Sequence, residues 1–117
     1  MSLITLILSV LVALEHIYIM YLETFATQSD ATSRVFNMSK EELQRTSVTN
    51  LFKNQGVYNG MIGVFLLYGV FTSNTTVVTI FLLNVILVAL YGSLTADRKI
   101  ILKQGGPAIL ALLTLLF

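Results

Sequence analysis

Glu15 and His16 stand side by side in "LVALEHIYIMYLE", residues 11–23, and Glu23 closes the same stretch. A carboxylate and an imidazole together are the usual means of moving a proton. Here they lie among leucine, isoleucine and valine. A charged side chain at the centre of a bilayer costs about 2.5–3.5 kcal/mol on insertion scales, and such residues face a bundle interior or a watered cavity. Glu15 escapes that cost by taking up a proton, by pairing, or by reaching cavity water. Neighbouring residues on a helix point about 100° apart, so Glu15 and His16 need not touch. His16 and Glu23, seven apart, share a face.

Further polar side chains follow. In "LFKNQGVYNG", Asn54 and Tyr58 are i,i+4 neighbours, as are Gln55 and Asn59. Asn84, Tyr91 and Thr95 recur at i, i+7 and i+11, and Gln104 precedes "GGP". Glu15 is expected to meet the Asn54, Gln55, Tyr58 and Asn59 face. With His16, Glu23, Asn84, Tyr91 and Gln104, these are the ligand-binding candidates. Tyr58 and Tyr91 sit among polar residues, whereas Tyr18 and Tyr21 fit an aromatic belt. One histidine and two carboxylates in no ligand spacing give no reason to expect a metal, and no cofactor is implied. An amide alone can serve simply as a bond between helices.

The elements that hold these groups are apolar and long. Hydrophobic residues make up 56% and charged residues 11% of the chain, and mean hydropathy is +0.83. So short a chain cannot hide that much apolar surface in a soluble core, because small folds bury only about 60–70% of their surface. The expected class is an all-α integral membrane protein, one domain over residues 1–117, its partner the lipid bilayer. A span needs about 20 apolar residues, and four segments qualify: about 2–25, 51–72, 75–95 and 100–117. Short links, "TSNTT" and "ADRK", imply tight helical hairpins and a compact four-helix bundle. The first span lacks a basic leader and contains a carboxylate, which reads as a retained helix rather than a signal peptide. There is no cysteine, hence no thiolate chemistry. A net charge of +1 offers nothing to nucleic acid.

The seven basic residues are Arg34, Lys40, Arg45, Lys53, Arg98, Lys99 and Lys103, all in or beside the first and third loops. Positive charge stays inside, so those loops are expected in the cytoplasm and both termini outside. So lopsided a chain is not expected to insert both ways. Each span then carries polar groups in its cytoplasmic half, while "LITLIL", "VVTIFLL" and "ILALLTLLF" leave the outer half nearly aliphatic. Glu15 and His16 fall about 15 Å from the cytoplasmic end, and the polar face of span two reaches about 12 Å inward. That clustering implies a cavity open to the cytoplasm. In the first loop, Ser39 and Glu42 form a capping box for a short interfacial helix, with Phe36, Met38, Leu43 and Val48 against the headgroups. Gly56, Gly60 and Gly63 allow close helix approach. Packing within the bundle is the favoured use, and a homodimer the alternative. Pro107 interrupts the start of span four.

"ALEHIYIMYLE", "LFKNQGVYNG", "LYGSLT" and "QGGPAILAL", in this order, resemble a family of small bacterial and fungal membrane proteins catalogued as domain of unknown function 1304. The resemblance covers nearly the whole chain and implies a four-helix membrane fold. It implies no activity. Its motif positions here are Glu15, His16, Glu23, Asn54, Gln55, Gly56, Tyr58, Asn59, Gly60, Tyr91, Gly92, Gln104, Gly105 and Pro107. The leading expectation is binding or transport of a small molecule, with Glu15 as the protonatable group. The alternatives are an intramembrane enzyme using Glu15 and His16 as acid and base, and a non-catalytic membrane subunit.

Overall fold

The computed structural model describes all 117 residues and is helical throughout, with no strand. The elements are α1 (Leu3–Met20), a π-helical turn (Tyr21–Phe25), α2 (Asp30–Phe36), α3 (Lys40–Leu43), α4 (Thr46–Phe71), α5 (Thr75–Thr95), α6 (Ile100–Lys103) and α7 (Gly105–Leu116). The chain falls into two compact units. One is Met1–Leu14 with Val64–Phe117, and the other is Glu15–Gly63.

In the first unit, α5 packs on α6 and α7; Val78, Leu82, Val85 and Ala89 are buried on α5, and Gly105, Ala108 and Ala111 on α7. The α4–α5 turn is closed by Asn74, whose side chain accepts the Val77 N–H at 3.1 Å. Gly69 gives this hairpin its tightness, since a Cβ there would lie 2.9 Å from Val77 Cγ1. The expected fourth span is two helices, not one. The chain leaves the α-helix at Gln104, immediately before the Gly-Gly-Pro run that disfavours continuation. The start of α1 and the end of α7 are less aliphatic than their composition suggests. Thr114 donates to the Ala111 carbonyl at 2.8 Å and faces Thr5 at 2.8 Å, and Thr5 in turn meets Ser2 at 2.9 Å. Isolated threonines in apolar runs carry no periodic signal, which is why this hydroxyl relay is invisible in the sequence.

In the second unit, the first loop holds two helices where one was expected. Ser29 caps α2 through the Thr32 N–H at 3.2 Å, and Ser39 caps α3 through the Glu42 N–H at 3.2 Å. The reciprocal half of the capping box is replaced, because the Glu42 carboxylate pairs with Arg45 at 3.2 Å. Leu43 is fully buried, and Phe36 meets Phe52 edge-to-face at 5.2 Å. These two side chains therefore serve the unit's own core instead of the headgroups.

The π-helical turn widens the end of α1 and frees carbonyls that a buried segment must satisfy. Thr27 Oγ1 donates to the Glu23 carbonyl at 2.6 Å. Thr32 Oγ1 reaches the carbonyls of Ala26 and Leu22 at 2.7 and 3.1 Å. Thr32→Val keeps the shape and strands those acceptors. It is expected to cost about 1–3 kcal/mol, measured by denaturant unfolding in detergent.

Lys40 bonds Asp30 at 2.6 Å and ties α3 to α2. That hydrogen bond, then the lysine's charge, holds the Asp30 carboxyl below its ordinary range. The folded state therefore favours the ionised form. Its contribution is present above about pH 4 and fades as pH falls through the lowered value. The melting-temperature difference between wild type and Asp30→Asn should accordingly be small at neutral pH and vanish on acidification.

Candidate functional site

The polar groups that meet lie in the second unit. Glu23 sits within the π-helical turn and is 4% exposed. Asn59 Nδ2, from α4, donates to Glu23 Oε1 at 2.6 Å. His16, also 4% exposed, is buried on the first helix, as are Ile19 and Leu22.

Two glycines set the distance. A Cβ at Gly56 would strike Thr24 Oγ1 and stand 3.0 Å from both Glu23 Cβ and the Thr24 backbone nitrogen. One at Gly60 would press into the Met20 thioether. Gly63 is buried as well. Thr24 Oγ1 adds a bond to the Lys53 carbonyl at 2.9 Å. Gly56 and Gly60 are thus met from within the chain, by Thr24 and Met20.

Glu15 is half-buried, and the face expected to meet it is dispersed. Asn59 binds Glu23. Asn54 turns back to the Asn50 carbonyl at 2.9 Å, and Asn54, Gln55 and Tyr58 are exposed. The helical wheel explains this: Asn54 and Tyr58 lie about 160–200° from Gly56, whereas Asn59 lies about 60° away. Only one side of α4 can approach the first helix, and glycine chose it. In the other unit, Asn84 and Tyr91 are exposed and Gln104 is half-buried.

Just beyond Glu23 is an open groove of about 500 Å³ that the sequence reading missed. Phe25, Ala26, Thr27, Gln28, Ser29, Thr49 and Lys53 line it. Gln28 Nε2 contacts Thr49 Oγ1 across it at 3.4 Å. Thr27 and Thr49 already donate their hydroxyl protons to the Glu23 and Leu43 carbonyls, each at 2.6 Å, so the Lys53 ammonium and the Gln28 carboxamide are the donors the lining has left. The signal was the polar run "ATQS" directly after the first span. No three side chains of the histidine, cysteine, aspartate or glutamate types come together as a metal site.

The profile of the family described as "Protein of unknown function (DUF1304)" matches residues 10–116. This chain belongs to the DUF1304 family. The chain is similar to the uncharacterized protein YpaA of Lactococcus lactis subsp. lactis (strain IL1403), at 63% identity over 119 residues and the full length of both chains. No solved structure matches. The DUF1304 profile takes in the Glu23–Asn59 pair, both glycines and the groove.

The glycine contacts are open to test. Gly56→Ala drives a methyl group against backbone, and overpacking of this kind costs about 1–3 kcal/mol. Gly60→Ala meets a flexible methionine instead and should cost less. Thermal unfolding in detergent should rank wild type above Gly60→Ala, and Gly60→Ala above Gly56→Ala.

Proposed function

We propose that this DUF1304 chain is a multi-pass membrane protein that binds a small polar molecule at the Glu23–Asn59 pair and the adjoining groove. In this reading α1 with its π-helical turn, α4, α5, and α6 with α7 are the four spans. The first and third loops are cytoplasmic, and the termini are outside. The membrane is supported by two helices, Leu3–Phe25 and Thr75–Thr95, that are long and apolar enough to cross it. Only 33% and 22% of their apolar windows are buried. The core helix of a soluble protein is covered by its own fold, so apolar surface of this extent calls for lipid. α4 is long enough at 26 residues, and Lys53, Asn54, Gln55 and Asn59 account for its lower hydropathy.

The observation that carries the binding reading is the buried Glu23 carboxyl, bonded by Asn59 and held in a π-helical turn. Such turns are frequent at functional sites. A structural link between helices is served at lower cost by an amide than by a carboxyl group. Glu23 thus takes over the central role that spacing assigned to Glu15, and Glu15 serves as a second protonatable group in the same span. Lys53 and the Gln28 carboxamide supply the solute's hydrogen bonds. Transport follows if binding at this site is coupled to proton exchange.

The runner-up is a non-catalytic subunit, favoured by the exposure of Asn54, Gln55 and Tyr58, a polar face without a cover inside the chain. The two part in one experiment. Melting temperature is measured in detergent from about pH 5 to 9 with inorganic phosphate, small carboxylates and small amines, for wild type, Glu23→Gln and Lys53→Gln. The binding reading expects one solute class to raise the wild-type melting temperature by several degrees and to leave both variants unmoved. If no solute acts and the variants only melt earlier, the cluster is internal glue and the subunit reading replaces it.

A further inference from the structure

α5 has two unlike sides. Val78, Leu82, Val85 and Ala89 are buried. The opposite side presents Ile80, Asn84, Leu87, Tyr91 and Leu94, all exposed. Their spacing is four, three, four, three, which is the seam of a heptad repeat. This seam is unused within the chain.

Asn84 interrupts it. It is close to the middle of a 21-residue helix, so in the membrane reading on which this inference rests it stands near the midplane. Its amide has no hydrogen-bonding partner in the chain. Hydrocarbon offers none, and an unpaired amide there is costly. A carboxamide carries both donor and acceptor, so two copies across a twofold axis satisfy each other. A single asparagine at an a position is also the device that fixes register and partner number in paired helices. The one-sided distribution of lysine and arginine gives every copy the same orientation, which places Asn84 opposite Asn84 at equal depth. The glycine step of α4 is closed off by the chain's own Thr24 and Met20 and is not available for the purpose.

We propose that two copies of this chain pair in parallel along the α5 seam, locked by an Asn84–Asn84 hydrogen bond.

The absence of cysteine makes the test direct. Leu87→Cys places a thiol on the seam, and Leu11→Cys places one on an exposed side of α1. Each variant is oxidised in native membranes and run without reductant, with and without Asn84→Leu. The expected result is a covalent dimer through Leu87→Cys, reduced roughly three- to tenfold by Asn84→Leu, with little dimer through Leu11→Cys. Asn84 has no partner to lose inside the chain, so Asn84→Leu should leave folding intact, checked by its melting temperature. Alkaline carbonate washing is run in parallel. Suppose the protein stays in the membrane, but Leu87→Cys gives no dimer, gives no more than Leu11→Cys, or is indifferent to Asn84→Leu. Then the pairing is overturned and the membrane reading stands. Release by carbonate overturns the membrane reading and the pairing with it.

Discussion

The approach of α4 to the end of the first helix, at the distance two glycines allow, governs residues 15–63. Gly56 lies against the backbone of Thr24, and Gly60 against Met20. At that separation a side chain as short as asparagine spans the gap, and Asn59 reaches the Glu23 carboxyl at 2.6 Å. A larger residue at Gly56 would meet the Thr24 backbone and lengthen the gap, whereas at Gly60 the flexible Met20 can give way. The same approach lets Thr24 bond the Lys53 carbonyl, and Lys53 is the cation of the groove. Pair and groove therefore share one geometric origin.

Polar groups in this chain divide by whether a partner is supplied. Ser2, Thr5 and Thr114 form a relay that ends on a carbonyl. Thr27 and Thr32 attend the widened turn. These groups consume their own hydrogen-bonding capacity and act as structure. Glu23 is different in kind, since an amide in its place would hold Asn59 as well. A carboxyl group where an amide would suffice is what sets the proposed site apart from the structural bonds around it.

The long helices were legible in the sequence because twenty apolar residues between polar links leave few alternatives. Segment 75–95 was placed to the residue, and the short hairpin before it follows from "TSNTT". His16 and Glu23 are each buried. Three features were not legible. The π-helical turn adds a residue without changing composition. The choice of inward face on α4 required weighing glycine against amides, and grouping by polarity alone put Asn54, Gln55 and Tyr58 on the wrong side. The buried Leu43 looked like a membrane-facing residue because apolar positions in a loop suit either solvent. In each case tertiary contact decided among options that local pattern left equal.

The π-helical turn also bears on how chain length and function are linked here. A π-helical turn is a helix that has accommodated one residue more than its ladder requires. Removing any one residue between Tyr21 and Phe25 would let the ladder close as ordinary α-helix. A π-helical turn comes round with one residue more than an α-helical one, so the segments on either side would keep nearly the same facing after the deletion. What would be lost is the widened turn itself, with the carbonyls of Leu22, Glu23 and Ala26 that Thr27 and Thr32 now bond. The extra residue therefore serves the setting of Glu23 and the bonds around it, and leaves the alignment of the helices on either side untouched.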